Sequence, residues 1–239
     1  MKNYVVWTNC KISETQAQFG IQPCGDPASQ QAYDTMFQIS RATAKKFLAG
    51  DWQEVVFDEP AETRVHMFQK NWQRIWDLWH KEPCNILYLD SDTMFIRPTE
   101  IFGRFEEFRM FNWTDPKSNQ QFPNYYNAGV RYYPSSIKSD VWKIGEDIAR
   151  NWKLDIWDQE QLIFNSMFWS QNVQDPHHPE LNWQGMHMIV SHPNAQLAHE
   201  QWNQCTVADT HIIHVHGSRN AVETANLMTN TVKQLGITI

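Results

Sequence analysis

The stretch Asn85-Ile86-Leu87-Tyr88-Leu89-Asp90-Ser91-Asp92-Thr93 decides how this chain reads. Ile86 to Leu89 form a short apolar run without polar alternation, the pattern of a buried strand. The run stops abruptly at two carboxylates that flank a serine. In an extended or turning backbone, side chains two apart point the same way. Two carboxylates near one point repel each other and favour a cation between them. Hard oxygen ligands on a loop suit Mg²⁺ or Mn²⁺, which in turn bridge to phosphates. Ligands of open α/β sheets also gather beyond the carboxyl ends of strands. The competing reading is that the pair merely caps the next segment.

Reading outward from that run, strands and helices alternate. Tyr4 to Trp7 is a short apolar strand ending at the polar turn Thr8-Asn9. Residues 11–30 hold Gly20, Pro23, Gly25 and Pro27 and read as loop. Gln31 to Leu48 has helical spacing and stops at Gly50, and Trp52 to Phe57 is a strand closed by Pro60. Val65, Phe68, Trp72, Ile75, Trp76 and Trp79 recur with helical period between Glu62 and His80. The order strand, helix, strand, helix, strand predicts an α/β fold with a mostly parallel central sheet flanked by helices. Farther on, 101–108 reads as a short helix, Arg109 to Trp113 as a strand, and the proline-bearing stretch Thr114 to Tyr125 as a long loop. Gly129 to Tyr133 reads as a strand, and 139–151 and 158–168 as helices. Met186 to Val190 and His211 to Val215 read as strands, and Ala221 to Ile239 as a helix and tail. There is no internal repeat and no low-complexity linker. One domain over 1–239 is expected, with the acidic motif in a nucleotide-binding half, 1–96, and a second half, 97–239, completing the cleft.

Composition narrows the partners. The chain has 239 residues, with Lys+Arg 20 against Asp+Glu 27, a formal net charge of -7. That disfavours a nucleic-acid binder, which needs a basic surface, and a polybasic membrane tether. No stretch approaches the length of a transmembrane segment, and the N-terminus carries no signal-peptide pattern. Four cysteines, Cys10, Cys24, Cys84 and Cys205, match no metal or disulfide-scaffold spacing. A reducing, cytoplasmic setting fits these features, with peripheral contact to a membrane left open. Trp is 12 of the residues, an excess that suits either core packing or a site for flat, partly apolar ligands such as sugar rings. Trp113, Tyr125, Tyr126, Trp157, Trp169 and Trp183 lie in or near predicted loops, where some could stack on a saccharide.

Two chemistries share an acidic strand end. A phosphatase of the haloacid dehalogenase type wants its threonine one place later than Thr93 and its motif near the chain start. The other is a nucleotide-sugar site. Taken in order over residues 4 to 220, the segments resemble a glycosyltransferase of the GT-A fold, more narrowly the retaining, glycogenin-like and lipopolysaccharide-galactosyltransferase-like group. Val5-Val6-Trp7-Thr8-Asn9 resembles that family's first strand and its turn at the base and ribose. The helix at Lys70-Asn71-Trp72-Gln73-Arg74 resembles the one whose lysine approaches donor phosphate or sugar. Tyr88 to Thr93, with Ser91 between the acids, resembles the metal motif, and Tyr126-Asn127-Ala128-Gly129-Val130 the segment lining the donor sugar. Trp157-Asp158-Gln159-Glu160 and Leu162 resemble the helix start near the reacting carbon. His214-Val215-His216-Gly217 resembles a motif whose first histidine is the third metal ligand; there Ser218-Arg219-Asn220 replaces the usual Lys-Pro-Trp, so Arg219 stands in for a diphosphate lysine.

The resemblance implies transfer of a hexose from a nucleotide sugar, usually UDP-linked, with Mn²⁺ or Mg²⁺, to a saccharide, glycoconjugate or other hydroxyl acceptor. It also implies retention at the anomeric carbon. The residues make chemical sense on their own. Mn²⁺ accepts mixed oxygen and nitrogen ligands, so an imidazole can join the carboxylates; His214 and His216 both remain candidates. Gly217 lets backbone approach a phosphate, and Arg219 offers a planar fork for its oxygens. Lys70 and Arg74, four apart on one helix face, either reach a phosphate or pair with nearby acids. Asn127 can donate to and accept from hydroxyls, and the small Ala128 and Gly129 beside it leave room for a sugar ring. Asp158 either caps a helix or serves the anomeric carbon, with Gln159 supporting the ring. A nucleotidyltransferase that makes sugar nucleotides would want a Gly- and Lys/Arg-rich loop after the first strand, and residues 8–30 lack one. A non-catalytic carbohydrate- or nucleotide-binding protein would suit the tryptophan excess but not a complete metal site.

Overall fold

The computed structural model describes residues 1–9, 11–13, 25–106, 108–115, 120–136, 182–183, 211–215 and 221–238, with backbone only for 64–65, 109–115, 120–128 and 182–183. The first strand, β1 (Lys2–Thr8), is followed by α1 (Pro27–Phe47), β2 (Gln53–Phe57), α2 (Arg64–Lys81) and β3 (Cys84–Leu89). Next come β4 (Thr93–Phe95), β5 (Arg109–Asp115), β6 (Gln120–Tyr133), β7 (Asn182–Trp183), β8 (Ile212–His214) and α3 (Ala221–Gln234). The helix starts are chemically marked. An Asp26 carboxylate oxygen accepts from Ser29 N at 3.0 Å ahead of Pro27, and Thr63 Oγ1 accepts from His66 N at 3.1 Å. That marking places the first turn of α1 inside the stretch read as loop.

A five-stranded sheet has the order β2-β1-β3-β6-β5, and a smaller one the order β4-β8-β7. β1 runs parallel to both β2 and β3, but β6 is antiparallel to β3 and to β5. The central sheet is therefore mixed, its parallel part confined to the first three strands. The difference from the mostly parallel expectation comes from 109–133. The described residues of the stretch 114–125 are strand rather than loop: 114–115 end β5, and 120–125 begin β6. Pro123 is tolerated there because β3 pairs only with residues 130 to 133 of β6. It also falls in the irregular stretch between the pairings Thr114↔Gln121 and Asn112↔Tyr126. Among the described residues of 101–108, the expected helix is likewise absent. Turns occupy that stretch, and Gly103 has φ +82°, a left-handed conformation that ends helical propagation.

Strand alternation divides the core. Tyr4, Val6, Ile86, Tyr88 and Tyr133 face α2, meeting Trp72 and Ile75. Val5, Trp7, Leu87, Leu89, Val130 and Tyr132 face the other way, against Phe37, Ala44 and Leu48 of α1 and against Phe95 and Ile212 of the small sheet. Met36 and Ile39 of α1 then pack with Met94, Ile213, and Met228 and Val232 of α3. Every residue of β3 is buried, which explains its continuous apolar run. The parallel strands end level: Thr8 pairs with Phe57 and Trp7 with Leu89. Thr8, Asp58 and Asp90 thus share one edge of the sheet.

Candidate metal centre

The chain leaves β3 through a tight turn. Thr93 N donates to Asp90 O at 3.2 Å, and Asp90 N donates to Gly129 O on β6 at 2.8 Å. The turn feeds β4, which pairs antiparallel with β8 in a register that sets Thr93 opposite His214. Val215 N donates to Asp92 O at 2.9 Å and closes the ladder. An imidazole separated from Asp92 by 122 residues of chain is thereby carried to the acidic turn by main-chain pairing.

His214 is fully buried, whereas the Asp90 and Asp92 side chains are 34% and 24% exposed, so the site opens on the carboxylate side. His214 Nε2 lies 3.0 Å from Asp92 Oδ1 and 3.9 Å from Asp90 Oδ2. One ligand atom from each of the three residues lies within 4.8 Å of the others. Two hard carboxylates and one imidazole are a donor set suited to Mn²⁺, and to Mg²⁺ with more of its shell supplied by water. The two carboxylates also act on the imidazole electrostatically. Burial alone would lower the pKa of His214; the charge and hydrogen bond of Asp92 and the charge of Asp90 outweigh it, leaving the imidazole above its usual value.

A buried hydrogen-bond chain holds the turn from behind. Trp7 Nε1 can only donate, and does so to Ser40 Oγ at 3.0 Å. Ser40 Oγ lies 3.0 Å from Thr93 Oγ1, which donates to Asp90 O at 2.7 Å. The hydroxyl directions follow: indole to Ser40, Ser40 to Thr93, Thr93 to the Asp90 carbonyl. Thr43 Oγ1 on the same helix accepts from Phe95 N at 3.1 Å. The first strand and α1 therefore anchor the acidic turn through three buried side chains. Sequence reasoning missed all of them, because contacts spanning 33 and 53 residues leave no local signature.

The other predicted positions divide. Thr8 Oγ1 sits 3.3 Å from Tyr88 Oη, and Asn9 Nδ2 donates to Asp58 Oδ1 at 2.9 Å. Lys11 Nζ pairs with the same Asp58 oxygen at 2.7 Å; Lys11 first, and Asn9 with it, hold that carboxyl below its usual pKa. Asp58, which directly follows β2, was not singled out from the sequence; its contacts to Asn9 and Lys11 come from residues close to β1. Ser91 is buried between the two acids. Lys70 Nζ donates to Pro60 O at 3.1 Å, and Arg74 pairs with Glu59 and lies over the Phe57 ring. Asn127 lies on β6 opposite Phe111. The space left by Gly129 is filled by the His214 ring, not kept for a sugar. Asp158, Gln159, His216, Gly217 and Arg219 lie outside the described residues, as do Trp157, Trp169, the helices read at 139–151 and 158–168 and the strand read at 186–190. No helix among the described residues is long and apolar enough to cross a membrane.

No protein-family profile and no curated protein matches this chain. A solved glycosyltransferase involved in the glycosylation of the major capsid of PBCV-1 is similar in structure. The superposition has a TM-score of 0.56 at 14% sequence identity, covering 96% of this chain and 100% of that one. The fold is GT-A-like. At that identity the likeness speaks for the architecture and leaves the chemistry to the residues.

Proposed function

We propose that this protein is a metal-dependent glycosyltransferase that moves a hexose from a nucleotide sugar, UDP-linked by preference, to a hydroxyl of a saccharide or glycoconjugate. One observation carries the reading: Asp90, Asp92 and His214 converge at the end of the central strand of a GT-A-like sheet. In that reading the three residues hold Mn²⁺ or Mg²⁺, which supplies charge neutralisation for a departing diphosphate.

The remaining roles fall to the chain itself. Thr8, Asn9 and Asp58 line the strand-end edge where the nucleoside would lie. Ser91, between the two acids in sequence, is assigned to a phosphate oxygen. Gly217 and Arg219 follow β8 closely enough in sequence to serve the diphosphate, Arg219 as a fixed positive fork. Lys70 and Arg74 would have to leave Pro60 O and Glu59 to join them. Asn127, Asp158 and Gln159 are assigned to the donor sugar, with Asp158 nearest the reacting carbon. As the anomeric C–O bond loosens, positive charge grows on the ring; a carboxylate at Asp158 would stabilise it, and the acceptor hydroxyl would enter on the face the leaving group vacates, its proton passing to the departing diphosphate oxygen, giving retention.

The test is slow hydrolysis of a panel of nucleotide sugars, followed by nucleoside diphosphate release. The reading requires release from at least one UDP-sugar that depends on added Mn²⁺ or Mg²⁺ and is lost in Asp92→Asn. Release that is indifferent to chelation, or absent across the panel, counts against it.

A further inference from the structure

Gly129 belongs to β6 and has no positive φ, so its lack of a side chain is not a conformational need. The need is for space. A Cβ built on Gly129 would lie 2.0 Å from His214 Cε1, 2.6 Å from Nδ1 and 2.7 Å from Nε2. Real Cβ atoms do not approach other heavy atoms that closely, and the ring has little freedom to yield. His214 is fully buried, its backbone is fixed opposite Thr93, and its Nε2 is held 3.0 Å from Asp92 Oδ1. The same Gly129 accepts the Asp90 N–H through its carbonyl at 2.8 Å. One residue therefore touches two of the three members of the cluster, with its carbonyl at the root of Asp90 and its bare Cα against the imidazole.

We infer that Gly129 is a positioning residue for the metal centre: its missing side chain is the seat that holds the His214 imidazole at the distance from Asp90 and Asp92 that cation binding requires. This rests on the metal reading above. It assigns the glycine of the Asn127-Ala128-Gly129 segment to the metal rather than to the sugar. Any side chain at 129, even a methyl, drives the ring off its seat and opens the cluster.

The experiment compares the intact protein with Gly129→Ala, His214→Ala and the double variant. Mn²⁺ binding is read by the EPR signal of the free ion, and thermal unfolding is followed in EDTA. Gly129→Ala is expected to weaken Mn²⁺ binding by about tenfold or more, the scale on which loss of a ligand-orienting contact acts, and the double variant to bind no more weakly than His214→Ala alone. The melting data carry a signature that a general structural role would not give. Gly129→Ala should lower the melting temperature clearly when His214 is present and little when the ring has been removed. If Gly129→Ala does not fold, a folded double variant supports the inference and an unfolded one overturns it. Wild-type Mn²⁺ affinity in Gly129→Ala, or an equal loss of melting temperature in both backgrounds, also overturns it. The metal reading fails separately, if His214→Ala binds Mn²⁺ as tightly as the intact protein; the melting comparison still judges the seat in that case.

Discussion

Replacing Thr93 by valine probes the hydrogen-bond chain behind the acidic turn. The side chains are nearly isosteric and both β-branched, so packing and strand preference are conserved while the hydroxyl is lost. Thr93 is fully buried, and its hydroxyl makes two contacts: it donates to Asp90 O at 2.7 Å and lies 3.0 Å from Ser40 Oγ. Asp90 O keeps Thr93 N as a partner at 3.2 Å, so it is weakened rather than orphaned. The Ser40 hydroxyl proton loses its acceptor in a buried site. A lost buried hydrogen bond and a polar group left unsatisfied together cost roughly 1–3 kcal/mol. At about 2 kcal/mol, a domain of this size should melt about 4–8 °C lower. Circular dichroism melts and urea midpoints measure this directly. Ser40→Ala should also destabilise, and the two changes together should cost less than their sum by at least ~0.5 kcal/mol, since both break the same bond. A Thr93→Val protein that melts within about 1 °C of the parent, or strict additivity in the double variant, would refute the relay.

Other consequences are open to measurement. In metal-free protein, the raised pKa of His214 contributes stability that is complete below its unfolded value of about 6.5 and disappears as pH rises through the folded value. Melting temperature in EDTA should therefore fall over that interval, and His214→Ala should remove this component; with Mn²⁺ present, affinity should instead weaken towards acid, as protons compete for the imidazole. Arg74→Gln should cost at most ~1 kcal/mol, because its partner Glu59 is largely exposed, and should leave UDP affinity unchanged in a calorimetric titration. Cys84 is buried, and burial pushes its thiol up to about 11. Native protein at pH 8 should resist iodoacetamide at Cys84, as read by peptide mass spectrometry, and react there only once unfolded.

Legibility in the sequence followed locality. α2 and β3 were plain because periodicity and continuous burial act within a few residues of chain. The acidic turn was legible because both carboxylates occupy one strand end. The third member of the cluster, His214, was reached through resemblance, and His216 stood level with it on residue chemistry alone. β-Ladder register decides what the histidine meets, and register between segments this far apart is not written locally. The β5–β6 pairing was misread for a related reason: Pro123 and polar neighbours carry turn chemistry, yet an irregular, one-sided pairing accommodates them. Gly129 was read as room for a sugar because glycine announces only that something comes close, not what. The Trp7–Ser40–Thr93 chain left no sign at all, since three ordinary core residues on separate elements acquire their meaning only by meeting.

The central claim is most directly tested by anomalous diffraction from crystals soaked with Mn²⁺ and UDP. The account predicts one strong Mn²⁺ peak within bonding distance of His214 Nε2 and of carboxylate oxygens from Asp90 and Asp92, with diphosphate density against it. Diphosphate density bound elsewhere, or bound beside an acidic turn that carries no Mn²⁺ peak, would contradict it.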